Sequence, residues 1–398
     1  MFALSSLKNF LHAALISLVL THTIDATPVV DLGIRYAAAP TGSLRFQAPA
    51  PPPKISGIQQ AFDDPPQCYQ GVFGASSTSP FVARDVEETE DCLFLSVYSP
   101  NLNPTALLPT IIWIHGGGYA IGSASQYNGA DLVQDSNNQV VVVVIQYRLG
   151  LFGFLAGQEM KDDGALNAGL RQLTKNLPSD GSTRISINSG AILPKLPFGG
   201  QSAGSSYICT MDSVSAQWTA RRWDINTNVN LASFEYTFPF GPVIDGSFIT
   251  RSPTDALMQG QLNRVDKLLA VTNTNEGVIF VNQSVEYDVA EYVRNLFPLL
   301  GVNAIMGEGQ PFSSAHGQDV VNYFPSFTAF NYTLIYNNTA FINAFTQSFI
   351  SRWEGDAEIE MVFNETESGV PDIAPVDTSS DLLERCEFWK SVRYLIGQ

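Results

Sequence analysis

The sequence predicts an α/β fold: a mostly parallel central sheet with helices on both faces. Two apolar runs carry this reading, "LPTIIWIHGGGYAIG" from Leu108 and "QVVVVVIQYRLGLFGFLAG" from Gln139. Their strand-forming portions are short, β-branched and apolar on consecutive positions, as in strands buried on both faces. Helical periodicity at 289–300 ("VAEYVRNLFPLL") and 338–353 ("NTAFINAFTQSFISRW") supplies elements to cover such a sheet. A third strand candidate, "KLLAVTN" at 267–273, ends just before Glu276, where open parallel sheets hold their site residues. Residues 35–53, rich in proline and turn formers, read as an extended lead-in wrapped on a surface. There is no internal repeat and no composition break, so 27–398 reads as one domain.

Charge and processing signals narrow the setting. With 21 Lys and Arg against 38 Asp and Glu, the net charge of −17 repels polyphosphate, which excludes nucleic acid as a partner. Residues 1–26 have the order of a secretory signal: Lys8, an apolar run from Phe10 to Leu20, then the small Ala26. That run is too short to span a bilayer comfortably, so stable membrane insertion is not expected. Secretion agrees with four glycosylation sequons, at Asn282, Asn331, Asn337 and Asn364, in polar or turn-like surroundings. It agrees too with Cys68 and Cys92, a close pair that an oxidising compartment would join. Cys209 and Cys386 have no obvious partner except each other, and buried free thiols suit them equally.

The chemistry centres on Gly200-Gln201-Ser202-Ala203-Gly204, a G-x-S-x-G spacing that sets a serine on a sharp strand-to-helix turn. A serine hydroxyl needs a base, and the base needs an orienting carboxylate. Of four histidines, His12 and His22 fall in the signal segment. His115 precedes Gly116, Gly117 and Gly118, a loop suited to presenting backbone N–H groups to an oxyanion and badly placed to supply the base as well. His316, in "SSAHGQDVVNYF", remains. For the acid, Glu276 in "TNTNEGVIF" is preferred, with Asp245 and Asp319 as rivals; Asp245 sits in an Asp-Gly turn that explains it structurally. No His/Cys cluster has metal-ligand spacing, so neither metal nor cofactor is called for.

"YAAAPTGSLRF", "EDCLFLSVYSP", "IIWIHGGGY", "QYRLGLFGFL", "GQSAGS", "PVIDGSF", "NTNEG", "HGQDV" and "LLERCEFWKS", in this order, resemble the type-B carboxylesterase/lipase family, the cholinesterase-like branch of the α/β-hydrolases. The resemblance implies Ser202 as nucleophile, Glu276 as acid and His316 as base. It implies an oxyanion hole made by the N–H groups of Gly117, Gly118 and Ala203, a Cys68–Cys92 disulfide with an Arg45–Glu90 ion pair beside it, and a small-molecule or lipid ester as substrate.

The departures from that family are local. Where it continues with an aspartate, an amphipathic helix and a strand feeding the serine, residues 172–199 read "QLTKNLPSDGSTRISINSGAILPKLPFG". Preserved length with altered pattern is what a misread frame or retained intron gives. Pro194 and Pro197 oppose a regular strand into Ser202, so a short or irregular one is expected, or one supplied by "TRISIN" at 183–188. The family's aspartate partner for Arg148 is missing, and an arginine buried without one costs several kcal/mol. Ser202–Glu276 and Glu276–His316 are both shorter than in the family, so part of the usual helical segments lining the acyl pocket and lid is expected to be missing. Two functional readings follow: a secreted serine ester hydrolase, or a catalytically impaired or non-catalytic cholinesterase-like binding module.

Overall fold

A computed structural model describes residues 28–57, 61–71, 87–101, 108–171, 191–192, 198–203, 240–251, 319–327, 359–366 and 370–392. It also describes residues 255–256, 259, 288, 291, 339, 342–343 and 345–346. The main sheet contains β1 (Val29–Arg35), β4 (Phe94–Ser99), β5 (Leu108–Ile114), β6 (Val141–Ile145), β7 (Ala191–Ile192) and β8 (Phe198–Gly200). Its order is β1-β4-β6-β5-β7, with β8 also on β5. The β1–β4 and β4–β6 pairs are antiparallel, whereas β5 pairs parallel with β6, β7 and β8. Two small ribbons stand apart: β2 (Gln67–Cys68) with β3 (Glu88–Thr89), and β9 (Ile359–Glu365) with β10 (Pro371–Asp377). The described helices are α1 (Ala130–Asp135), α2 (Gly150–Phe154), α3 (Gln158–Asp162), α4 (Val320–Tyr323) and α5 (Ser380–Val392).

The consecutive apolar residues of β5 and β6 divide between two cores, because successive strand side chains point to opposite faces. Ile112, Ile114, Val141, Val143 and Ile145 join Leu151, Phe152 and Phe154 of α2 and Met160 of α3 on one face. Ile111, Trp113, Val142 and Val144 join Leu132 and Val133 of α1 and Val320, Val321 and Tyr323 of α4 on the other. Helices therefore cover both faces, as the sequence predicts. Each buried branched or aromatic side chain contributes about 1.5–3 kcal/mol over its exposed state, so this central pair is the framework for what its ends carry.

Parallel pairing of β7 and β8 with the same strand exposes an irregularity. Leu108 pairs with Ala191 and Ile112 with Phe198, so four steps along β5 face seven along the partner chain. A regular ladder requires equal counts. The approach to Ser202 is split into two short pieces, as the prolines imply; residues 193–197 and 183–188 lie outside the described residues. The 267–273 strand and most of the two helical stretches also lie outside them, although 339, 342–343 and 345–346 are helical.

The lead-in at 35–53 is anchored more deeply than a surface wrap. Tyr36, Ala37 and Phe46 are buried, and the Tyr36 hydroxyl donates to the Gln146 carbonyl at 2.6 Å. Arg35 and Arg45 make two-pronged ion pairs with Asp91 and Glu90. Cys68 and Cys92 form the expected disulfide, their Cα atoms 5.0 Å apart. Arg148 is buried, and its Nη2 donates to the carbonyls of Gln47 (2.8 Å) and Ala168 (3.0 Å), main-chain acceptors that the sequence reading left out. Asn364 stands in β9 opposite Asp372, in a strand and not a turn; the other three sequons, Cys209 and residues 1–27 lie outside the described residues. No described helix is long and apolar enough to cross a membrane.

Asp245 is a buried polar node. Its Oδ2 accepts from Asn167 Nδ2 (2.8 Å) and Arg171 Nη2 (3.1 Å), while Oδ1 accepts from the amides of Ser247, Phe248 and Ile249. Both members of the Arg171–Asp245 pair are almost wholly inaccessible. Removing one charge strands the other, so Asp245→Ala is expected to lower stability by about 3–5 kcal/mol. Urea unfolding checks this, and a loss under about 1 kcal/mol would reject the node.

Candidate active site

Ile114 of β5 pairs with Gly200 of β8, so the chain leaves two adjacent parallel strands at the same edge. On one side this delivers His115, Gly116, Gly117 and Gly118; on the other, Gln201, Ser202 and Ala203. The Gln201 amide still donates to the Ile114 carbonyl at 3.3 Å, extending the ladder to the residue before the serine. Ser202 then turns with φ +52°, and Ala203, buried, has helical backbone. Left-handed backbone at a non-glycine residue costs about 1–2 kcal/mol, and such cost concentrates at working turns. A strand that runs directly into a strained serine followed by helical backbone at Ala203 matches the geometry of a nucleophile elbow.

The glycine loop lies directly against this turn. A Cβ on Gly116 would sit 2.0 Å from Gln201 Oε1 and 2.7 Å from the Gln201 carbonyl oxygen, so only glycine permits the approach. Gly117 has φ +108°, and its carbonyl accepts from the amides of Ala120 and Ile121, closing the turn. Among the described residues, the amides of Gly117, Gly118 and Ala203 have no hydrogen-bond acceptor. Tyr127 donates its hydroxyl to Gln201 Oε1 (3.1 Å), fixing the side chain that Gly116 packs upon.

His115 supports the loop from below. Its ring stacks on Tyr147 with centroids 4.4 Å apart, and the Tyr147 hydroxyl donates to the His115 carbonyl at 2.9 Å. Nδ1 lies 2.8 Å from the Gly116 carbonyl, an acceptor only, so the neutral ring carries its proton on Nδ1. Burial pushes its pKa down to about 4, against the opposing effect of that hydrogen bond. A ring so enclosed is structural, in keeping with its exclusion as base.

The structure thus brings together Ser202, Ala203 and the Gly116–Gly118 loop; Glu276 and His316 lie outside the described residues. Of the rival acids, Asp245 is committed to the node above. Asp319 stands at the start of α4, its carbonyl accepting from the Asn322 amide. Sequence reasoning missed Tyr127, Tyr147 and the Gln201 side chain, whose roles arise from contacts between distant segments. It also missed Gln70, whose side chain bonds the Gly122 backbone; its position two residues after Cys68 was the available signal.

Residues 23–177 match the carboxylesterase family model. The chain is similar to mouse carboxylesterase 1E, 41% identical over 133 residues, covering 32% of this chain and 23% of the relative. It is similar to rabbit cocaine esterase, 29% identical over 307 residues, covering 66% of this chain and 57% of the relative. These matches span about a quarter to a little over half of the relatives' lengths. The crystal structure of Aspergillus niger EstA superimposes with a TM-score of 0.68 at 21% identity, covering 94% of this chain and 96% of that one. The chain shares that esterase's fold, the α/β-hydrolase fold.

Two outcomes follow for the loop. Gly116→Ala overpacks Gln201 and is expected to cost about 1–3 kcal/mol in thermal or urea unfolding. His115 titrates near 6.5 when unfolded and near 4 when folded, so the unfolded state takes up its proton first as pH falls. Its contribution is complete above about pH 6.5 and declines toward pH 4, by about 3 kcal/mol in all. Asp135, raised to about 6 by burial and by Asp131, titrates in that window with the opposite sign. Comparison of stability-versus-pH curves for wild type and His115→Asn isolates the histidine: the variant should lack this decline, and parallel curves would reject it.

Proposed function

We propose that this chain, whose residues 23–177 match the carboxylesterase family model, is a serine carboxylic ester hydrolase working through Ser202, His316 and Glu276. The observation that carries this reading is the strained Ser202 turn lying beside a glycine loop. In the mechanism, His316 takes the proton from Ser202 Oγ as Oγ attacks the ester carbonyl carbon. The carbonyl oxygen, now negative, receives the amides of Gly117, Gly118 and Ala203, each worth on the order of 3 kcal/mol. Collapse breaks the bond to the alcohol, which leaves with the proton from His316. Water then attacks the acyl-serine, gives a proton to His316, and the carboxylic acid departs as that proton returns to Ser202. Glu276 orients the imidazole and stabilises its charged form.

Chain connectivity supports the base. His316 precedes Val320 by four residues, a stretch that spans at most about 14 Å. Phe324, just after α4, meets Trp113 of β5 at 4.7 Å and Tyr127 at 5.3 Å between ring centroids, and Tyr127 holds Gln201. The relatives named above are esterases, which supports an ester as substrate, small-molecule or lipid. The Cys68–Cys92 disulfide supports an oxidising, secretory compartment, in which the sequons become usable.

One observation favours the second reading, a catalytically impaired or binding-only protein: the split ladder before Ser202 weakens the support that an elbow needs. Hydrolysis of a short-chain p-nitrophenyl ester separates the two. The hydrolase reading expects turnover that Ser202→Ala lowers by about 10³-fold or more. His316→Ala should approach that loss, and Glu276→Gln should fall between. Equal rates for wild type and Ser202→Ala would reject the assignment.

A further inference from the structure

Resting on the hydrolase reading, we propose that Gln70 is a positioning residue that clamps the oxyanion loop to the disulfide-anchored segment. Gln70 belongs neither to the glycine loop nor to the serine turn, yet its amide group is spent on Gly122. Oε1 accepts from the Gly122 amide at 2.6 Å, and Nε2 donates to the Gly122 carbonyl at 3.1 Å and to the Cys68 carbonyl at 2.6 Å. A glutamine side chain facing one residue's donor and acceptor at once fixes both its position and its peptide orientation.

Gly122 is where such a grip transmits. It has φ +105°, and a Cβ there would stand 2.6 Å from the Gly116 carbonyl oxygen and 2.6 Å from His115 Nδ1. The loop therefore closes on itself, with Gly122 seated on the first residues of the glycine run. A second bond runs in parallel, from the Gly71 amide to the Ala120 carbonyl at 2.6 Å. Gln70 holds the return limb of the loop, and the return limb holds Gly116.

The other end of the clamp is anchored by a disulfide and by side-chain hydrogen bonds. Cys68 is tied to Cys92, and Gln146 Nε2 donates to the carbonyls of Pro66 (3.1 Å) and Cys92 (2.9 Å), binding both sides of the disulfide to the end of β6. Glu88 Oε2 accepts from the Gln70 amide at 3.2 Å. The donors of an oxyanion hole act only if they are held in place before charge develops, and small misplacement is costly. Loss of Gln70 should therefore slow the chemical steps more than it weakens substrate binding.

Gln70→Ala is expected to lower kcat on a p-nitrophenyl ester by about tenfold or more, with KM changed by less than about threefold. Gln70→Glu keeps the acceptor for the Gly122 amide but turns an oxygen on the Gly122 carbonyl. It should be impaired at neutral pH, and its rate relative to wild type at the same pH should partly recover as its carboxyl gains a proton. Hydrogen exchange of a peptide covering 115–123 reads the clamp without reference to activity, and Gln70→Ala should speed it at unchanged overall fold. Unchanged exchange overturns the clamp. Faster exchange with kcat within twofold of wild type overturns its part in catalysis. A wild-type chain that neither hydrolyses esters nor takes a fluorophosphonate on Ser202 overturns the hydrolase reading, and faster exchange would then still uphold the clamp.

Discussion

Everything at the candidate site depends on the parallel register between β5 and β8. Because Ile114 faces Gly200, the glycine loop and the serine turn leave the sheet side by side. A slip of one residue would reverse the facing of each side chain and shift Gly116 along Gln201. The register is held by burial on both faces: Ile112 and Ile114 against one core, Ile111 and Trp113 against the other. Sheet packing and site geometry are thus one constraint, and strain at Ser202 is tolerated because the flanking ladder and the buried Ala203 over-determine the turn.

A glycine-rich loop has many conformations available when unfolded, so it needs more restraint than the strand before it. The protein applies that restraint from three directions. His115 and Tyr147 fix the start of the loop, Tyr127 and Gln201 fix the partner surface, and Gln70 fixes the return limb. Each uses a polar atom that would be costly to bury unpaired, so loop order and hydrogen-bond satisfaction reinforce one another. Three of these five side chains, Tyr147, Gln201 and Gln70, come from segments distant from the loop in sequence, and the disulfide secures one of them.

What sequence revealed and what it hid divide along this same line. The consecutive apolar residues at 141–145 and the Gly116–Gly118 run are local patterns, and local patterns foretold the two-faced sheet, the turn at Ser202 and the disulfide. Tyr127 and Tyr147 carry no local signature, because an isolated tyrosine is compatible with almost any environment, and Gln70 offers only its nearness to Cys68. Arg148 was read only in part for a related reason: carboxylates can be searched for in a sequence, whereas the main-chain carbonyls of Gln47 and Ala168 that its Nη2 meets cannot. Only the prolines at 194 and 197 disclosed a tertiary irregularity in advance, since a missing N–H is a local fact with a ladder consequence.

The Arg171–Asp245 node bears on the identity of the acid. A carboxylate that orients a catalytic imidazole must keep an oxygen for the ring's N–H while remaining charged. Asp245 has none to offer: Oδ1 receives three backbone amides at 2.6–3.2 Å, and Oδ2 receives Arg171 and Asn167. Recruiting it would strand a guanidinium that is almost wholly inaccessible, at a cost comparable to a sizeable share of a domain's stability. The same bonds tie the chain at 240–249 to the turn at 167–171, beside the α2 helix that backs the sheet. Asp245 therefore does its work as a brace, and with both oxygens spent it is a poor orienter for an imidazole.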